Sequence, residues 1–115
     1  MQKSSPCNLK ITLFYITAAD QETAASLGHL AVDQRLAGCA NIYPIQSIYP
    51  WDESIHHENE YVLLLKTIPE VKDQLSIFIQ QHHPYEVPCI LHWDVDVNDA
   101  YKKWIENNMK GDKKK

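Results

Sequence analysis

A chain of 115 residues has room for one hydrophobic core, and with 44% apolar and 23% charged residues it has the composition of an ordinary globular domain. Its formal net charge of −4 argues against a nucleic-acid backbone as the main partner, because phosphate binding needs a basic face. Three cysteines (Cys7, Cys39, Cys89) without CxxC spacing give neither a disulfide framework nor a structural zinc site, and the polar segment Met1 to Asn8 has no apolar leader core.

No apolar run approaches the roughly 20 residues that span a bilayer, so no membrane partner is expected and the chain reads as cytoplasmic, with reduced thiols. Residues 8–109 are expected to form a single domain, with flexible tails at 1–7 and 110–115; the only basic cluster, Lys110 to Lys115, falls in the second tail.

The first element is a strand over Leu9 to Thr17, alternating at its start and apolar on both sides at its end. Asp20 is placed to cap a helix with acidic Glu22 in its first turn, where the helix dipole favours a carboxylate. Ala24, Leu27, Leu30 and Ala31 line one side of that helix to about Leu36, and Gly38 is the expected stop. Cys39 to Trp51 is a strand interrupted by Pro44 and Pro50, which belong on an edge or at a bend because proline cannot donate to the ladder. Asp52 to Ser54 turns the chain into a returning strand, Ile55 to Thr67. This strand is polar at first, as in an exposed arm, and continuously apolar at Tyr61 to Leu65, as in mid-sheet.

Pro69 suits a first helical turn, and Val71, Leu75, Phe78, Ile79 and His82 follow as an amphipathic stripe. Val87 to Val97 is the fourth strand. Asn98 or Asp99 then caps a short helix that carries Tyr101, Trp104, Ile105 and Met109 on one face. The order β-α-β-β-α-β-α is an α+β, ferredoxin-like pattern, with a four-stranded antiparallel sheet, helices on one face and an extra C-terminal helix. Such a sheet leaves one face uncovered and a long central hairpin with unpaired edges, both of which a homo-oligomer would cover.

The densest polar stretch is His82-His83-Pro84-Tyr85-Glu86-Val87-Pro88. Its prolines push His83 and Val87 towards extended backbone, so the helix should end near His82 or His83 and run straight into a strand. His82 continues the buried stripe of its helix, whereas His83 is the freer imidazole. His56 and His57 are adjacent on a strand and point to opposite faces, so they do not chelate together. His29 reads as a half-exposed helix residue, and His92 as packed against its strand neighbours. Cys39 and Cys89 read as small buried strand residues. With three glycines and no GxGxxG, P-loop or HExxH, a phosphate-cradling loop is excluded. The third strand, Glu60-Tyr61-Val62-Leu63-Leu64-Leu65-Lys66, lacks the stacking aromatics of an RNA-recognition sheet.

Several segments together resemble the CutA family of divalent-cation-tolerance proteins: Thr17-Ala18, Arg35 to Ile42, Ser47-Ile48-Tyr49-Pro50-Trp51, Leu65-Lys66-Thr67, His83 to Pro88 and Tyr101 to Ile105. The resemblance runs from about Asn8 to Asn107. It implies a homotrimer whose hairpin arms pair with neighbouring subunits, a link to copper tolerance, and no enzymatic activity. The family's copper-binding Cys, Glu and His positions fall on Ile16, Glu60 and His83. Ile16 cannot coordinate, but a carboxylate and an imidazole with water suit Cu(II) or Zn(II). The resemblance also implies a cleft between subunits formed by Cys39, Asn41, Trp51, Lys66, Tyr85 and Glu86. That cleft is similar to the sensing cleft of trimeric PII-type signalling proteins, and its groups suit a small polar metabolite.

Overall fold

The computed structural model describes residues 9–110. Of the two expected tails, all but Lys110 lies outside them. The elements are β1 (Lys10–Ala18), α1 (Gln21–Asp33), β2 (Cys39–Trp51), β3 (Ser54–Thr67), a 3-10 turn at Pro69–Val71, α2 (Lys72–His82), β4 (Ile90–Asp96) and α3 (Asp99–Asn108). The strands lie in the order β2-β3-β1-β4 and every pair is antiparallel. This is the ferredoxin-like arrangement expected from the sequence.

Alternation along β1 sorts its residues by face. Thr12, Phe14, Ile16 and Ala18 are fully buried, opposite Thr67, Leu65, Leu63 and Tyr61 of β3. α1 brings Ala24, Leu27 and Ala31 onto this face, and α2 brings Leu75 and Ile79. Each large apolar side chain removed from water here stabilises the fold by about 1.5–3 kcal/mol. α1 can lie close because residue 28 is glycine: a Cβ there would come within 2.9 Å of Leu63 Cδ1.

The start of α1 is capped as expected, with Thr23 N–H donating to Asp20 Oδ1 at 2.7 Å. Its end differs from expectation. The helix stops at Asp33, and Arg35 takes the left-handed conformation (φ 63°). Leu36 N–H then bonds Ala31 O, and Arg35 N–H bonds Val32 O, both at 3.0 Å. These are the two bonds of a Schellman stop, made at arginine rather than glycine. Gly38 serves a different purpose: a Cβ there would lie 2.9 Å from both Ile105 Cγ2 and the Ile105 carbonyl oxygen, so it lets α3 dock.

β2 and β3 form one long hairpin, with Trp51 paired to Ser54 across a turn in which Asp52 and Glu53 both have positive φ (56° and 68°). That geometry is a two-residue type I′ turn. β1 pairs with β3 only from Tyr61 to Thr67, so the last seven residue pairs of the hairpin, from Ile45–Glu60 to Trp51–Ser54, have no third strand. At the usual rise per residue the arm projects roughly 20 Å. It accounts for a radius of gyration of 16.1 Å, against about 13 Å for a compact 100-residue domain. Pro44 and Pro50 lie on β2, which is an edge strand, as expected.

At the end of α2 the two histidines exchange the places that periodicity assigns them. His82 is exposed, and His83 is only 7% exposed. Pro84 keeps His83 out of the helical conformation. Its extended backbone (φ −77°, ψ 136°) swings its ring onto the end of β1, so His83 takes the inward place. β4 begins at Ile90, which leaves Val87 and Cys89 in the connector rather than in a strand.

Candidate functional site

The connector between α2 and β4 is tied to two strands. His83 Nε2 lies 2.8 Å from Thr17 O at the end of β1, and because a carbonyl only accepts, Nε2 carries the proton. Nδ1 then accepts the Tyr85 backbone N–H at 3.1 Å. The two rings pack 4.7 Å apart, which aims the Tyr85 phenol at the hairpin. There it donates to Glu60 Oε2 at 3.0 Å, while Ser47 Oγ donates to Glu60 Oε1 at 2.6 Å. Burial, followed by the Glu60 hydrogen bond and charge, pushes the Tyr85 phenol up to about 12. The Tyr15 phenol is also raised, by burial first and then by Tyr43, Cys89 and Glu60. Thr17-His83-Tyr85-Glu60-Ser47 is therefore one continuous polar chain across three strands and the connector. Sequence reasoning missed Ser47 and Thr17. Ser47 could have been found from the two-residue turn, which sets Ser47 opposite Glu58 and diagonal to Glu60.

These residues do not fit a metal ion. Neither ring nitrogen of His83 is free, since one bears the hydrogen given to Thr17 and the other receives Tyr85 N–H. Both Glu60 oxygens already accept a hydrogen bond, and Ile16 is fully buried in the core. Tyr85, rather than a cation, bridges Glu60 to the histidine. Among the described residues no group of three or more His, Cys, Asp or Glu side chains could hold a metal.

The six residues expected around the cleft lie in separate parts of the chain. Cys39 pairs with Lys66 across β2 and β3, and Asn41 lies two residues further along β2. Lys66 Nζ contacts the Tyr101 hydroxyl at 3.2 Å and sits 5.4 Å from the centre of its ring. Among the described residues its ammonium has no ion-pair partner. Tyr85 is with Glu60, while Glu86 borders a groove with Ser76, Gln80 and Ile90. Trp51 is 65% exposed at the tip of the arm, twelve residues along β2 from Cys39, roughly 40 Å away. A single chain does not bring the six together.

The face of the sheet away from α1 and α2 carries Leu13, Tyr15, Tyr43, Val62, Leu64, Leu91 and Trp93, as the strand registers require. Tyr43, Leu91 and Trp93 are 41%, 54% and 44% exposed.

A family model described as CutA1 divalent ion tolerance protein matches residues 12–108. The chain belongs to the CutA1 family. Among its relatives, the divalent-cation tolerance protein CutA of Pyrococcus horikoshii is 34% identical over 99 residues, covering 85% of this chain and 97% of the relative. Protein CutA of Homo sapiens is 30% identical over 97 residues, covering 83% of this chain but 54% of the longer human protein. The chloroplastic CutA of Arabidopsis thaliana is 29% identical over 112 residues, and the chain spans 61% of its length. Among solved structures, the divalent ion tolerance protein CutA1 from Ehrlichia chaffeensis superposes with a TM-score of 0.84 at 31% identity, covering 87% of this chain and 95% of that one. The crystal structure of CutA1 from Pyrococcus horikoshii gives a TM-score of 0.82 at 33% identity, covering 87% of this chain and 99% of that one. The CutA1 family is named for tolerance rather than for a reaction. No helix among the described residues is long and apolar enough to cross a membrane.

Proposed function

We propose that this protein works in divalent-cation tolerance, copper included, as a cytoplasmic homotrimer without enzymatic activity of its own. The observation that carries the reading is the open sheet face. Exposed Tyr43, Leu91 and Trp93 adjoin half-buried Leu13, Tyr15 and Leu64, a cluster of large apolar side chains of the kind that marks a protein–protein interface. A second and third copy would bury this face, and their arms would cover the unpaired edge of β2. Family membership over residues 12–108 supports the role in cation tolerance. The decisive experiment pairs light scattering on the purified protein with growth of a copper-sensitive host that expresses it. A trimeric mass and improved growth in copper support the reading; a concentration-independent monomer or unchanged copper sensitivity overturns it.

A second reading, a PII-like sensor that binds a small anionic metabolite between subunits, is favoured by Lys66. Its ammonium is half-buried beside Cys39 and Tyr101 and has no carboxylate partner among the described residues. In a thermal-shift screen of small carboxylates and phosphates, a ligand that stabilises the wild type and not Lys66→Ala supports this reading. Equal shifts in both proteins overturn it.

A further inference from the structure

Of the two neighbouring histidines, His82 is the one whose ring is fixed yet open. Its Nδ1 lies 2.9 Å from Phe78 O, one helical turn back, and its ring packs 4.2 Å from that of Phe78. A carbonyl oxygen can only accept, so Nδ1 carries the hydrogen and Nε2 keeps its lone pair, on a residue that is exposed. An imidazole held by one nitrogen to a backbone carbonyl, with the other exposed, is the arrangement that metal-ligating histidines adopt.

His82 also lines a concave surface. A groove of about 430 Å³ runs between α1 and the end of α2, bordered by Glu22, Ser26, Leu30, His82 and Pro84. Among the described residues the Glu22 carboxylate has no hydrogen-bond or ion-pair partner. A histidine with its ring fixed and a glutamate with an uncommitted carboxylate thus line the same groove.

The other described histidines lack this combination. His83 has both nitrogens engaged, His56 lies 3.7 Å from Glu58 on the projecting arm, and His92 packs against Phe14 at 4.8 Å. His57 borders a smaller hollow with Gln46, Glu58 and Asn59, but makes no contact that orients its ring. His29 lies exposed on α1 outside the groove.

We propose that this groove is a divalent-cation site in which His82 Nε2 and the Glu22 carboxylate are the protein ligands and water completes the shell. One nitrogen and one carboxylate select borderline ions such as Zn(II), Cu(II) and Ni(II), whereas Mg(II) favours an all-oxygen shell. The site rests on the cation-tolerance reading, and it is independent of the trimer because both ligands belong to one chain.

Calorimetric titration of the full chain with Zn(II), and with Mg(II) as control, tests the site. The wild type should show one saturable Zn(II) site per chain and no response to Mg(II). His82→Ala should weaken Zn(II) binding by roughly tenfold or more, since losing a ligand should cost no less than losing its supporting hydrogen bond. Glu22→Gln should weaken it less, and His83→Gln, with its fold checked by circular dichroism, should leave it unchanged. A wild-type isotherm in His82→Ala overturns the site. If Zn(II) binding is lost in folded His83→Gln and kept in His82→Ala, the position falls while the cation reading stands. No saturable Zn(II), Cu(II) or Ni(II) binding by the wild type overturns the site and leaves the trimer to be judged by light scattering.

Discussion

On β1, Phe14 and Ile16 point into the helix layer and are fully buried, while Leu13 and Tyr15 from the same strand point the other way and stay partly in solvent. The two faces are built from similar apolar residues, but α1 and α2 cover only one. The strand Tyr61 to Leu65 is apolar on both faces for the same reason: Leu63 and Leu65 fill the core of one chain, while Val62 and Leu64 belong to the other face. Continuous apolar character in a strand therefore marks apolar contacts on both faces: within this chain Val62 is fully buried by its sheet neighbours, while Leu64 stays only half-buried.

The sharpest way to separate the faces is to damage each in turn. Phe14→Ala should cost about 3–5 kcal/mol, because a fully buried aromatic leaves a cavity that the sheet and two helices cannot close. Urea unfolding at fixed protein concentration would show it as a lower midpoint, and a loss below about 1 kcal/mol would mean that the covered face is loosely packed. Leu91→Glu on the open face should leave the single-chain core intact and act on assembly. The variant should scatter light as a monomer, and its melting temperature should lose the concentration dependence expected of the wild type. A Leu91→Glu protein that keeps the wild-type mass would remove the open face as the interface.

A smaller effect belongs to the boundary between the faces, where α3 packs on the start of β2. Gly38→Ala drives a methyl group to within 2.9 Å of the Ile105 carbonyl, a backbone atom that cannot swing aside. The expected cost is about 1–3 kcal/mol, read in the same urea experiment. A neutral result would show that α3 is free to shift outward.

Much of this was legible from local rules. Alternation in β1, the Asp20 cap, the edge prolines of β2 and the stop before Pro84 each follow from one or two residues and their neighbours, and the element order then leaves few topologies. What failed were inferences that needed the third dimension. Helical periodicity gave His82 the inward place, and a rule about glycine gave Gly38 the helix stop. In the fold, a proline-forced change of backbone turns His83 inward, and a Schellman turn at Arg35 leaves Gly38 to make room for Ile105. The polar chain through Ser47, Glu60, Tyr85 and His83 was half visible, because its members lie far apart in sequence and meet only through register and the connector. The cleft residues are harder still, since Trp51 and Lys66 lie on the same hairpin and roughly 40 Å apart.

The smallest predicted effect tests what that polar chain contributes where the two faces meet the arm. Tyr85→Phe removes one hydrogen bond to Glu60 and leaves the Ser47 bond in place, so it should cost only about 0.5–1.5 kcal/mol near neutral pH. The pH dependence is more diagnostic than the size. The Tyr85 phenol is raised from 10.0 to about 12, so the folded state holds this proton more tightly than the unfolded state does. Its contribution is fully present below pH 10.0 and is lost as pH rises through about 12, where a phenolate would face the Glu60 carboxylate. Wild type and Tyr85→Phe should therefore differ in urea midpoint at neutral pH and converge between those two values. The raised Tyr15 phenol is common to both proteins and cancels in the comparison. A gap that stays constant across the window would mean that the phenol's proton is not what Glu60 holds, and no gap even at neutral pH would mean that Tyr85 contributes through its ring packing on His83, which phenylalanine keeps.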